Sequence, residues 1–161
     1  MVERRRKLDA TDRDILKRLS GDGRMTFEEL GRAVGLSRPA AHERVKRLMA
    51  DGVVRRFGAV LDWEAVGLGV PAFLWVRTAG TSCAEAARAI AGLGTDEVRI
   101  EECHRVAGDW SLLVKLRTAS LPALLAFGDH VRAQAGVVAV TTTVVMETIC
   151  EDAELRGSAA R

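Results

Sequence analysis

Residues 25–51, MTFEELGRAVGLSRPAAHERVKRLMAD, constrain this chain more than any other stretch. Thr26 and Glu29 have the spacing of a capping box, in which each side chain satisfies a free backbone N–H of the other residue, so a helix should begin there. Gly35 supplies a turn. Ser37 is a good N-cap for a second helix, with Pro39 in its first turn, where a missing N–H costs nothing. Phe27, Leu30 and Val34 give the first helix an apolar stripe. Ala41, Val45 and Leu48 recur at i, i+4 and i+7 in the second and must face inward. Two short helices joined by a glycine-containing turn, the second rich in Arg, Lys and His, read as a helix-turn-helix.

The flanking sequence supports a small helical unit. Residues 1–8 are a basic arm. Asp9 can cap a helix running to about Leu19, whose Ile15, Leu16 and Leu19 share one face. Gly21-Asp22-Gly23 ends it, and Asp51-Gly52 stops the third helix. Residues 53–57 and 59–61, around Gly58, read as a short hairpin; as a wing it would bring Arg55 and Arg56 to phosphates. A linker strand with two solvated arginines is the equal alternative. We take 1–61 as one domain and 62–69 as a linker, with Gly67 and Gly69 giving flexibility or a tight turn.

From residue 70 a plan appears twice. Residues 70–77 are strand-like, Ser82 and Glu85 form a capping box opening a helix to about Leu93, and 98–106 follow as a strand. Then come a strand over 110–117, a Ser120-capped helix to about Gln134 and a strand over 137–149. The order βαββαβ is that of a ferredoxin-like domain, here over 70–150, and the fold class is α+β. Its helices cover one face of the sheet. The other face alternates apolar and polar residues, and two such sheets packed together would cover it, so a homodimer is expected. The tail, 151–161, is small and polar.

Charge separates the halves. Residues 1–56 hold fifteen Lys/Arg against nine Asp/Glu, a balance of +6, and the remainder holds nine against thirteen, or −4. A basic part joined to an acidic part suits a nucleic-acid reader fused to something that avoids DNA. Cys83, Cys103 and Cys150 lie far apart without C-x-x-C, neither a disulfide framework nor a zinc pattern, so a reducing cytoplasm is the expected setting. MVERRRK has no apolar stretch after its basic run and does not read as a signal peptide. No apolar run approaches a membrane span.

Several residues carry the comparison further. Leu8-Asp9, Asp14-Ile15-Leu16, Gly23-Arg24, the pattern Ser37…Arg44-Val45…Arg47-Leu48…Gly52, and Gly108-Asp109-Trp110 together resemble the Lrp/AsnC family. These are the leucine-responsive and asparagine-synthesis, or feast/famine, regulators, and the resemblance spans about 8–149. It implies a winged helix-turn-helix followed by an amino-acid-sensing domain (RAM or ACT-like), and dimers assembling into tetramers, octamers or larger rings. It also implies an effector, usually an amino acid, bound where dimers meet, near the turn between the second and third strands. Carried over, that turn is Val106, Ala107, Gly108, Asp109, Trp110 and Ser111. The family usually reads Gly-Asp-Tyr-Asp; Trp110 and Ser111 replace a phenol and a carboxylate and change the pocket's polarity.

The candidate DNA contacts are Ser37, Arg38, Pro39, His42, Arg44, Lys46 and Arg47. Arg38, His42 and Lys46 form a stripe at i, i+4 and i+8. Arg38 suits guanine O6/N7, whereas Lys46 and Arg47 suit phosphates. Arg44 lies near the buried face, where a structural ion pair is as good a reading. The bland alternative is a solvated face with Glu43–Arg47 pairing. For the effector, Gly108 lets backbone N–H groups face a carboxylate, Asp109 can accept an ammonium, and Thr141, Thr142 and Thr143 can add hydroxyls. A glycine that merely permits a turn, and threonines that merely suit a strand, explain the same residues. No cofactor is expected. His42, His104 and His130 lack metal spacing, and adjacent Cys103 and His104 face opposite ways on a strand. Gly67-x-Gly69-x-x-Ala72 matches a dinucleotide fingerprint by letter but opens a strand, not a helix. The expectation is therefore a cytoplasmic DNA-binding regulator, not an enzyme, acting on double-stranded DNA as a homo-oligomer. The alternatives are a siroheme-decarboxylase-like enzyme using His104 or Arg105, and an effector-independent nucleoid-packing protein.

Overall fold

The computed structural model describes residues 7–80 and 82–149. Most of the basic arm and the whole 151–161 tail lie outside the described residues, as does Cys150. The chain divides into two compact units, meeting in sequence at Val60 and Leu61.

The first unit holds three helices, α1 (Ala10–Gly21), α2 (Phe27–Val34) and α3 (Arg38–Ala50). Each starts on a side-chain cap. Asp9 accepts from the Asp12 N–H while Asp12 reaches back to the Asp9 N–H, and Thr26 and Glu29 form the full reciprocal box. Ser37 Oγ accepts from the Ala40 N–H, with Pro39 in the first turn. Ile15, Leu30, Val45 and Leu48 form the shared core, with Leu16, Leu19, Phe27 and Val34 packed around them. Fully burying a side chain of this size contributes roughly 1.5–3 kcal/mol. Four such residues are therefore the main force folding a unit this small.

The expected wing is absent: residues 53–61 form no strand. The chain instead folds back on α3. Gly52 adopts φ +67°, and the N–H groups of Gly52 and Val53 donate to the carbonyls of Met49 and Leu48 at 3.0 and 2.9 Å. This is a Schellman closure of the helix. The Val54 N–H also donates to Leu48, which removes the donors a hairpin would need. An isolated two-stranded hairpin is marginal without a face to bury, and residues 55–61 are exposed.

The second unit is a four-stranded antiparallel sheet, β1 (Val70–Thr78), β2 (Val98–Arg105), β3 (Leu112–Thr118) and β4 (Val137–Val144), with α4 (Cys83–Ala91) and α5 (Leu121–Arg132). The strand order β2-β3-β1-β4 is that of the ferredoxin-like βαββαβ plan. Ala72, Leu74, Val76, Val114 and Leu116 meet Ala86, Ile90, Leu124, Phe127 and Val131 of the helices in one core. Strand limits are tighter than expected. Trp110 and Ser111 precede β3, and β4 stops at Val144 rather than residue 149. The Ser82–Glu85 capping box does not form: Ser82 makes no side-chain cap, and the Glu85 N–H donates to the Ser82 main-chain carbonyl.

On the face away from the helices, Phe73, Trp75 and Leu113 lie among Lys115, Arg117, Thr141 and Thr143, as the pairing register requires. A bulge between Ile100 and Glu102 turns Glu101 towards Lys115 and Arg117, each at 3.2 Å. Residues 62–68 are a hydrogen-bonded turn, with Asp62 Oδ1 accepting from the N–H groups of Glu64 and Ala65 and the Leu68 N–H donating to the Trp63 carbonyl. The Trp63 ring lies beneath the Arg99 and Arg117 guanidiniums, 5.1 and 5.3 Å from its centroid. Among the described residues no helix is long and apolar enough to cross a membrane.

Candidate nucleic-acid interface and effector turn

The first candidate surface is α3. Its inner side is Ala41, Val45 and Leu48, all buried. Ser37, Arg38, Pro39, His42 and Lys46 are exposed, so the stripe expected at i, i+4 and i+8 stands clear of the core. The His42 ring meets Phe27 edge to face at 4.8 Å, and its Nδ1 lies 3.7 Å from the Glu43 carboxylate. That contact joins α2 to α3 beside the stripe and limits where the imidazole can point.

Arg44 and Arg47 have a different setting. Arg44 Nη1 donates to Asp9 Oδ2 at 2.6 Å and Asp12 Oδ1 at 2.8 Å, and Arg47 Nη2 donates to Asp12 Oδ1 at 2.6 Å. Asp12 is 4% exposed, and a carboxylate that far from water needs such partners. The Arg44 guanidinium and then the Asp12 N–H hold the Asp9 carboxyl below its ordinary value, and Asp9 in turn raises Arg44. Arg44 and Arg47 thus pin α1 to α3, and the Glu43–Arg47 pair expected from spacing gives way to Arg47–Asp12.

Asp12 was not foreseen in this role. Its three-residue spacing from Asp9 was the available signal. Gly31 was missed as well: a Cβ there would lie 2.7 Å from the Leu36 carbonyl oxygen, so the turn into α3 closes directly against α2. A lone glycine inside a helical pattern is the signal for such a contact.

The second candidate surface is the β2–β3 connection. The Val106 N–H donates to the Ser111 carbonyl at 3.1 Å, closing a loop that contains Ala107, Gly108, Asp109 and Trp110. Gly108 has φ +113° with open space where a Cβ would stand, so backbone conformation rather than crowding asks for glycine. Ser111 ties the loop to β1. Its N–H donates to Val76, its Oγ accepts from the Thr78 N–H at 3.1 Å, and its carbonyl lies 3.6 Å from Cys83 Sγ. The Ser111 hydroxyl therefore has a structural partner. Asp109 is exposed at the tip, and the Arg77 guanidinium lies 5.6 Å over the half-buried Trp110 ring.

The three threonines divide. Thr141 and Thr143 pair with Trp75 and Phe73 on the open face, whereas Thr142 faces α5, 3.8 Å from the position of a Cβ on Gly128. β1 separates all three from β3. Cys103 packs against the helical face, where burial and then nearby Cys83 push its thiol pKa up. His104 pairs with Glu102 at 2.6 Å on the exposed side.

Comparison with known proteins agrees with both units. The family model for the AsnC-type helix-turn-helix domain matches residues 8–49, and that for the Lrp/AsnC ligand binding domain matches 71–155. The HTH-type transcriptional regulator FL11 of Pyrococcus abyssi is 33% identical over 148 residues, 92% of this chain and 95% of that protein. The proline dehydrogenase transcriptional activator of Rhizobium radiobacter is 34% identical over 146 residues, 89% of this chain and 92% of that protein. Among solved structures, the feast or famine regulatory protein of Mycobacterium tuberculosis complexed with L-methionine superposes with a TM-score of 0.83 at 32% identity, covering 91% of this chain and 97% of that one. These relatives are named as regulators, which sets aside the decarboxylase alternative. The chain belongs to the Lrp/AsnC family of helix-turn-helix transcription regulators, and it is a regulator rather than an enzyme.

Proposed function

We propose that the protein is a cytoplasmic, sequence-preferring DNA-binding regulator that works as dimers or larger assemblies and answers to an amino acid. Residues 1–61 are the DNA-binding domain, and 70–150, reached through 62–69, are the effector and assembly domain. The observation that carries the reading is the exposed row Ser37, Arg38, Pro39, His42 and Lys46 on α3, opposite its buried line. In a helix-turn-helix the N-terminal residues of the second helix meet base edges in the major groove. Arg38 there suits the paired acceptors of guanine. Lys46, two turns on, suits a phosphate, which positions the protein without specifying sequence.

Gel shifts with DNA flanking the protein's own coding region test this. A salt-sensitive, sequence-preferring band is expected. Arg38→Ala should relax preference by about 1–3 kcal/mol at one base pair, whereas Lys46→Ala should weaken all sequences alike and flatten the salt slope by about one. Equal losses on every sequence for both variants would refute the assignment, and footprints spreading along any DNA would favour the nucleoid-packing alternative.

The effector reading rests on the 106–111 loop, where Gly108 opens the backbone and Asp109 is exposed at the tip. The relative from M. tuberculosis is a complex with L-methionine. An amino acid bound here, between dimers, couples to DNA by typically 1–3 kcal/mol. A thermal-shift screen of amino acids should find a stabilising ligand whose effect Asp109→Ala abolishes. An undiminished shift in that variant would move the ligand elsewhere.

A further inference from the structure

A cleft at the start of β2 lies apart from the 106–111 loop. It has a volume of about 460 Å³ and is lined by Leu68 of the turn before β1, Ala91 at the end of α4, Asp96 of the following loop, and Val98, Arg99 and Ile100 of β2. That volume falls in the roughly 300–1,000 Å³ range of small-molecule sites. The 106–111 loop follows the other end of β2, so the two places are separated by the length of the strand.

We propose that this cleft binds an α-amino acid with an apolar side chain, as a second site independent of the 106–111 loop. Besides Gly94 and Thr95, its lining offers three kinds of group. Arg99 offers a planar guanidinium, the geometry that takes a carboxylate on two parallel N–H bonds. Asp96 offers a carboxylate for an ammonium. Leu68, Ala91, Val98 and Ile100 form an apolar wall. The sheet's ion pairs lie on Glu101 and Glu102. Asp96 and Arg99 are exposed and have no ion-pair partner among the described residues. Opposite charges beside an apolar wall match the two ends and the side chain of a zwitterion, and no single-charge ligand uses both.

The site also reaches the linker. Arg99 stacks on Trp63, and the Leu68 N–H donates to the Trp63 carbonyl at 2.8 Å. A ligand held by Arg99 against Leu68 therefore touches one end of the 62–68 turn directly and acts on the other, Trp63, through Arg99. Occupancy is read at Trp63, not at Trp110.

The test uses full-length protein labelled with 5-fluorotryptophan, which gives one 19F resonance for each of Trp63, Trp75 and Trp110. Trp63→Phe assigns the first. L-leucine is the probe, with isocaproate, which lacks the ammonium, and isoamylamine, which lacks the carboxylate. L-leucine should move the Trp63 resonance saturably, and each single-charge analogue should bind at least about tenfold more weakly, one charge-assisted hydrogen bond being worth that much. Asp96→Asn, which leaves the Trp63 stack untouched, should weaken L-leucine about tenfold. Asp109→Ala should leave the Trp63 response in place, so failure of the loop reading does not count against this site. The proposal is overturned if L-leucine moves the Trp110 resonance alone, if isocaproate matches L-leucine, or if both Asp96→Asn and Arg99→Gln respond as the parent does.

Discussion

Asp12 shows how one side chain can govern a surface it never reaches. Its carboxylate is nearly out of water and accepts from Arg44 and Arg47, while Asp9 takes a second bond from Arg44. Two carboxylates thereby neutralise two of the cations on α3, so the positive charge that α3 presents outward is concentrated at Arg38 and Lys46. Removing one partner of a buried pair strands the others. Asp12→Ala should therefore destabilise the first unit by about 2–4 kcal/mol, discounted from the fully buried case because both arginines keep some solvent contact. Denaturant unfolding followed by circular dichroism measures it, and a loss below 0.5 kcal/mol would mean the network is merely a surface one. The sequence left Arg44 open between DNA and an ion pair. Its partner is 32 residues away, and no spacing rule spans that distance.

At the scale of elements, periodicity and caps were legible, and features needing a tertiary partner were not. The Thr26–Glu29 box forms as spaced, with the Glu29 N–H donating to the Thr26 hydroxyl and the Thr26 N–H to the Glu29 carboxylate. The Ser82–Glu85 pair has the same spacing at the start of α4, yet main-chain bonding opens that helix instead. The wing failed because Leu48 claims the N–H groups of Val53 and Val54. The caps that do form make the first unit acid-sensitive. Glu29 is held below its ordinary value by the Thr26 N–H and then its hydroxyl, and Asp9 by Arg44 and the Asp12 N–H. A carboxyl whose folded pKa is depressed adds stability that is complete above its unfolded value, near 4, and is lost as pH falls through the folded value. The melting temperature of the helical unit should thus hold from pH 7 to about 5 and decline below 4. Glu29→Gln should flatten that decline; an unchanged pH profile in the variant would show that the box carries none of it.

For the whole molecule, the open face of the sheet is the deciding surface. Both helices cover the other side, and Phe73, Trp75 and Leu113 are left among Lys115, Arg117 and Glu101. The βαββαβ order, which puts both helices on one side, made an uncovered second face legible from the sequence. The Glu101 bulge and the Trp63 stack on Arg99 and Arg117 depend on contacts between distant segments and were not. In the proposed dimer a second copy of the sheet would cover this face with its own apolar centre, and a two-fold assembly would present two α3 helices to a two-fold site. Trp75→Glu places a charge at the centre of that contact while sparing the core, because the Trp75 side chain points away from α4 and α5. The variant should keep its far-ultraviolet spectrum, sediment as a monomer where the parent sediments as a dimer or larger species, and lose about 10²–10⁴-fold in affinity for a two-half-site DNA, the gain that linkage of two reading heads provides. Affinity for a single half-site should stay within a few-fold of the parent. A variant that still sediments with the parent would place the dimer contact on another face, and an equal loss on single and double half-sites would show that the substitution acts through folding, not assembly.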